Sequence, residues 1–327
     1  MKYKCFSFKL LFRFSPLGFR RFALNYEESL MVKAAWFYYF ENMTQQAIAD
    51  RLSISRMRVI KLLEAARQNG IIQFRLRSDG VGMAEQSRAL MEKYHLKDVF
   101  LIPSAEEEAT TNESIARAGA MYIADRLGDN ACINVGYGDT LSRTLNHLAT
   151  MVETPVTCIS LTGGVSPYLP NTRSNIFNAR LFLMPAPLLA SSPEMASAMR
   201  SESSVSEIFD MAELSSFTLV GIGSIHDSAT VVKSGVLSRN DLFFLRMHNA
   251  VGDILCHFFD REGRLLQTPI EDRLISTPLS RLKTLRNVVG LAAGAQKADA
   301  IRAALLGGYL DVLVTDEATA SLLLKDE

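Results

Sequence analysis

The chain has 327 residues, 48% apolar and 21% charged, and its 35 basic and 35 acidic side chains give a formal net charge of zero. That length and apolar content support more than one domain with a sizeable core and exclude an intrinsically disordered chain. A balanced charge gives no general attraction for nucleic acid, so a nucleic-acid reader has to be a local feature.

Residues 1–25 hold six basic residues, no acid and six phenylalanines. Lys9, Arg13, Arg20 and Arg21 interrupt any apolar run, so the segment is no signal peptide. A basic extension is expected, either poorly ordered or touching DNA phosphates. Tyr26 to Phe40 opens with acids and then turns apolar, as a helix does, and Asn42 ends it. Thr44 caps the next helix, whose inward face is Ala47, Ile48 and Leu52; Ser53 and Ile54 form a turn, and Ser55 caps a further helix. There Val59, Leu62, Leu63 and Ala66 recur at helical spacing until Gly70 closes it. Ile71 to Arg77 alternates apolar and polar residues like a wing strand.

Between Thr44 and Arg77 there are seven Lys or Arg and two acids, Asp50 and Glu64. Two short helices, a tight turn, a basic second helix and a strand form a winged helix-turn-helix pattern. A helix of this kind fits the major groove of double-stranded DNA. Ser55, Arg56, Arg58 and Lys61 lie on its free side, and Thr44, Gln45 and Gln46 begin the preceding helix, placed for backbone contacts. Taken alone, basic residues on a helix favour an ordinary solvated face; the combination with the paired helices, tight turn and strand points to DNA.

Met83 to Leu96 reads as an amphipathic linker or oligomerisation helix. Beyond it, apolar strands are expected at Val99–Ile102, Ala131–Val135, Val156–Leu161, Leu181–Met184, Thr218–Ile222, Val288–Ala292 and Val312–Val314. Helical patterns fall between most of them, notably Ser114–Leu127, Thr140–Met151 and Lys297–Leu306. The alternation predicts an α/β domain with a mostly parallel sheet covered on both faces. The expected division is a basic extension (1–25), a DNA-binding domain (26–78), a linker helix (79–97) and an effector domain (98–327).

The second domain carries one chemical motif, Gly136-Tyr137-Gly138-Asp139-Thr140, between a strand and a helix. Glycines let backbone approach an anion, and the helix N-terminus supplies N–H donors and a favourable dipole. By spacing alone it is also a ligand-free strand–helix turn, and it is neither a Walker A loop nor a full dinucleotide fingerprint. Gly163 and Gly164, Gly221 and Gly223, and Gly294 follow other strands, at the carboxyl ends where ligands collect in open α/β sheets. Lys297 stands where it can counter a phosphate, and Asp253 can accept hydrogen bonds from ligand hydroxyls; each is alternatively a surface ion pair. Cys5, Cys132, Cys158 and Cys256 are widely separated and the five histidines lack ligand spacing, so no metal and no cofactor are expected, and a reducing cytoplasm suits the thiols. No run approaches about 18 apolar residues, so no membrane span is expected.

The segment AWFYYFENMTQQAIADRLSISRMRVIKLLEAARQNGII resembles the N-terminal domain of SorC-type sugar-responsive transcriptional regulators. The likeness continues through GYGDT, LTGG, MPAPLLASS, VGIGS, SATVVKSG, AVGDIL, PLSRLKT, KADAIRAALLGGY and LVTD, covering about Glu28 to Leu324. Several blocks are similar to the branch that responds to phosphorylated autoinducer-2. The resemblance implies a sensor fold like that of ribose-5-phosphate isomerase and glucosamine-6-phosphate deaminase, with a sugar-phosphate pocket kept for sensing. By that analogy Gly138, Thr140 and Lys297 meet the phosphate, Tyr137 and Asp253 line the sugar side, and Thr315 is a lesser candidate. Arg173 and Arg180 would reshape the pocket mouth. The function implied is a repressor whose operator binding is controlled by a phosphorylated sugar, polyol or autoinducer-2-like ligand, working as a dimer or tetramer. The competing expectation, a sugar-phosphate isomerase or deaminase, needs a general base, for which Asp253 is conceivable but lacks an evident acid partner.

Overall fold

The computed structural model describes residues 26–72, 81–105, 108–152, 154–164, 179–226, 229–233 and 235–325. The expectations for the basic extension, for most of the wing strand and for Arg173 lie outside these residues. The chain divides into two compact units, 1–72 and 73–327.

In the first unit, α1 (Tyr26–Tyr39), α2 (Gln45–Leu52) and α3 (Arg56–Gln68) pack around one core. Leu30, Met31, Ala34 and Ala35 of α1 meet Ile48 and Ala49 of α2 and Val59, Leu62, Leu63 and Ala66 of α3. Both expected caps are present: the Thr44 hydroxyl accepts from the Ala47 N–H at 3.2 Å, and the Ser55 hydroxyl from the Arg58 N–H at 3.2 Å. Ser53, with φ of 54°, makes the turn that redirects the chain from α2 into α3.

The second unit begins with α4 (Val81–Tyr94), which packs on strand β1 (Asp98–Ile102) and the C-terminal helix Glu317–Leu324. Leu90 is fully buried there, the Gln86 side-chain amide donates to the Ser321 hydroxyl at 3.0 Å, and the Tyr94 hydroxyl donates to the Leu323 carbonyl at 2.8 Å. Helix α4 is therefore built into the core of this unit. It is followed, after β1, by α5 (Glu108–Ala124), β2 (Cys132–Val135), α6 (Asp139–Met151), β3 (Val156–Gly164), β4 (Ala179–Pro187) and β5 (Phe217–Gly221). The remaining strands are β6 (Gly223–Ser224), β7 (Gly252–Ile254), β8 (His257–Phe259), β9 (Val288–Leu291) and β10 (Val312–Asp316).

Seven strands form a fully parallel sheet in the order β1-β10-β9-β5-β2-β3-β4. Alternate residues of each strand serve opposite cores, as strand geometry requires. Val289, Leu291, Val312 and Val314 join Ile133 and Val135 under α5 and α6. Val288, Ala292 and Leu313 join Leu90 and the helices Ser203–Ala212 and Ala298–Leu306 on the other face. The strand order runs outward from β2 to β4 on one side and from β5 through β9 and β10 on the other. The reversal lies between β2 and β5, which makes a crevice at their carboxyl ends.

A second sheet, β6-β7-β8, is antiparallel and was not foreseen. Its strands are two or three residues long, too short for a period-two pattern to show. A separate core of Leu188, Leu242, Leu245, Cys256, Phe258 and Ile270 supports it. Among the described residues no helix is long and apolar enough to cross a membrane, and no group of three or more His, Cys, Asp or Glu is placed to hold a metal ion.

Candidate functional site

Strands β2, β5 and β9 are neighbours in the sheet, so their carboxyl-end turns converge. A cavity of about 250 Å³ lies there, lined by the Tyr137–Leu141 turn, the Gly221–Ser224 turn, Ala293–Lys297 in part, Asp253 and the side of α5. Gly138 precedes α6 with φ of 132°, a backbone conformation that side chains disfavour, and no side chain caps the helix. The first-turn N–H groups therefore lie at the cavity end of a 13-residue helix with no side-chain cap among the described residues.

Asp253 reaches the same space from β7. It is fully enclosed, and burial pushes its carboxyl up to about 6 in spite of the Cys256 N–H, which donates to it at 3.1 Å, and of nearby Lys297. Gly223 stands directly opposite in the ladder, and a Cβ there would lie 2.0 Å from the Asp253 carboxylate oxygen. Only glycine leaves the acid its place. Lys297 comes from the turn after β9; burial lowers its amine, opposed by the charges of Asp253 and Asp139. One cavity thus holds a helix N-terminus, a cation and an acid that titrates close to neutrality.

Six of the ten expected effector residues line this cavity: Tyr137, Gly138, Thr140, Gly221, Asp253 and Lys297. Four do not. Gly136 packs beneath the loop, where a Cβ would lie 2.7 Å from the Leu255 side chain. Gly163 and Gly164 belong to the β3–β4 pairing, and a Cβ at Gly163 would meet the Pro187 carbonyl at 2.2 Å. Close strand approach, and not a ligand, accounts for glycine at 163. Thr315 is wholly buried within β10, where its hydroxyl has no hydrogen-bond partner among the described residues. Arg180 is exposed on β4, at the sheet edge, and is not among the lining residues.

Tyr137 is among the lining residues, but its hydroxyl takes a hydrogen bond from the Cys256 thiol at 3.1 Å. Burial raises the ionisation of both groups well above the ordinary range, so both stay neutral. The wall also contains Thr111, Asn112, Ser224 and Gln296, which were not singled out from the sequence, and Asp139, which the sequence placed in the glycine motif without a role of its own. Thr111 and Asn112 sit on α5, which starts six residues before its apolar periodicity does.

On the first unit, Arg56 and Lys61 are exposed on α3, and Arg56 shares a shallow concavity with Thr44, Gln45 and Gln46. Arg58 is differently placed. Its guanidinium meets both carboxylate oxygens of Glu27 on α1, at 2.5 and 2.6 Å. Gln46 donates to Asp50 at 2.9 Å.

Residues 78–325 match the family described as "Putative sugar-binding domain". The transcriptional regulator LsrR of Klebsiella pneumoniae is 33% identical over 302 residues, covering 91% of this chain and 93% of its own. LsrR of Escherichia coli K12 is 34% identical over 303 residues, covering 91% and 95%. The full-length sorbitol operon regulator SorC of K. pneumoniae superposes with a TM-score of 0.68 at 27% identity, covering 91% of this chain and 98% of that one. These relatives are regulators and not isomerases or deaminases. The chain belongs to the SorC family of DNA-binding transcriptional regulators with a sugar-binding sensor domain.

Proposed function

We propose that this regulator is a repressor whose operator affinity is switched by a phosphorylated sugar, polyol or autoinducer-2-like molecule bound at the carboxyl ends of β2, β5 and β9. The observation that carries this reading is the meeting of the uncapped α6 N-terminus with Lys297 and Asp253 in one cavity. The helix end and the ammonium group suit a phosphate. The Asp253 carboxylate suits the hydroxyls at the other end of such a molecule, and the Tyr137 ring and Leu255 suit its carbon skeleton.

DNA recognition is assigned to α3, with Arg56 and Lys61 reaching into the major groove and Thr44, Gln45 and Gln46 contacting the backbone. Two reading heads are required for a paired operator, so the working form is a dimer or a tetramer. Switching requires only that the effector bind one conformation of the protein better than the other. The test is a thermal-shift panel of phosphorylated sugars and polyols beside their dephosphorylated forms. Stabilisation confined to phosphorylated members, without turnover of any of them, supports the reading. Equal stabilisation by both forms contradicts the phosphate assignment, and turnover contradicts a pure sensor.

A further inference from the structure

The proposed anion cradle contains a residue of the wrong sign. Asp139 is the first residue of α6, lines the cavity, and its charge acts on Lys297 across it. An acid in the first turn is favourable for the helix itself. It is unfavourable for a bound phosphate, because carboxylate and phosphate compete for the same dipole and the same ammonium group, and like charges repel at short range.

Arg143 lies one turn further along α6. Its Nε donates to Asp139 Oδ2 at 2.9 Å, and its Nη1 donates to Glu113 Oε2 of α5 at 2.8 Å. Glu113 is held in turn by His147, whose Nε2 lies 2.7 Å from Oε1. The His147 hydrogen bond, with the Arg143 bond, takes the Glu113 carboxyl down to about 2 in spite of partial burial, so this acid stays charged at any working pH. An isolated exposed pair four residues apart on a helix is weak. Here the arginine is fixed between two carboxylates on two helices, which restricts where Asp139 can point.

We propose that Arg143 is a positioning residue of the effector site: braced by Glu113, it turns the Asp139 carboxylate along α6 and neutralises it, leaving the first-turn N–H groups and Lys297 to an incoming phosphate. This rests on the phosphate assignment made above. Without Arg143 the protein's own carboxylate is free to swing over the cradle and act as a built-in competitor of the effector.

The test uses the full-length protein and inorganic phosphate as the probe, with binding read from the phosphate dependence of the melting temperature. Arg143→Ala is expected to weaken phosphate binding about tenfold, which corresponds to one close, partly screened charge. Asp139→Asn alone is expected to bind phosphate at least as tightly as the wild type. Adding Asp139→Asn to Arg143→Ala is expected to restore binding to within about twofold of wild type, a rescue that a direct Arg143–phosphate contact or a merely structural role does not give. If Arg143→Ala costs the same with Asn at 139 as with Asp, the positioning role is wrong. Should Arg143→Ala fail to fold, Asp139→Asn still decides, since weaker phosphate binding in that variant overturns the proposal. A wild type that phosphate does not stabilise overturns the phosphate assignment itself, and this proposal with it.

Discussion

The two units handle charge in opposite ways. On α3, Arg56 and Lys61 stand in solvent, at the surface of a small helical core. In the sensor unit, Asp253 and Lys297 are drawn into a cavity where burial displaces the ionisation of both. A DNA phosphate backbone is a large exposed polyanion, and mobile, hydrated cations suit it. A small effector offers few contacts, so its site has to be dry enough for each charge to count. The first arrangement costs the fold little. The second installs an unfavourable buried carboxylate in the ligand-free protein.

Four variants separate these two arrangements, taken from the largest expected effect. Arg56→Ala with Lys61→Ala removes the two cations proposed to reach the groove, each worth about 1–3 kcal/mol there, so operator affinity in a gel-shift assay is expected to fall on the order of a thousandfold. The melting temperature and its response to ligand stay unchanged. Arg58→Ala is expected to cost clearly less than Arg56→Ala, because Arg58 is already engaged by Glu27. Equal losses at the two positions would show that DNA displaces the Glu27 pair.

Asp253 gives a prediction of opposite sign for stability and for binding. Its carboxyl is raised to about 6 from an ordinary 3.8, so between those values the native state holds more protons than the unfolded state. Stability therefore falls as pH rises through this window, and the charged form costs the ligand-free fold ~3 kcal/mol above it. Asp253→Asn is expected to raise the melting temperature at pH 7.5, to flatten its dependence between pH 4 and 6, and to weaken effector binding. A lower melting temperature at pH 7.5 would mean that Asp253 stabilises the fold through Lys297. Smaller again is Gly163→Ala, in which the new methyl meets the Pro187 carbonyl; a loss of about 2 kcal/mol in denaturant unfolding is expected, with effector affinity unchanged. Reduced effector affinity in a folded Gly163→Ala protein would return Gly163 to the site.

The sequence made the reader helices legible because their signals are local. Thr44 and Ser55 cap what they were expected to cap, and the apolar spacing of α3 marks its buried face. All seven strands of the parallel sheet were visible as apolar runs; the inner ones are buried on both faces, whereas the edge strand β4 leaves Leu181, Phe182 and Leu183 exposed. Glycine was a less selective guide. Gly138 and Gly221 line the cavity and Gly163 does not, since a ligand and a neighbouring strand call for the same absent side chain. Thr111 and Asn112 were missed because polar residues at the start of a helix carry no periodic signal, and Asp139 was read within the glycine motif without a role of its own. The Arg58–Glu27 pair spans 31 residues, and no spacing rule reaches that far.

On this reading, binding at the Lys297–Asp253 cavity controls the α3 face. That control is tested most directly by titrating the operator complex of the full-length protein with sugar and polyol phosphates, comparing wild type with Lys297→Ala by fluorescence anisotropy. At least one phosphorylated compound is expected to dissociate the wild-type complex while its dephosphorylated form does not. Lys297→Ala should bind the operator normally and need about tenfold more of that compound for release. Release at the same concentration in both proteins would contradict it.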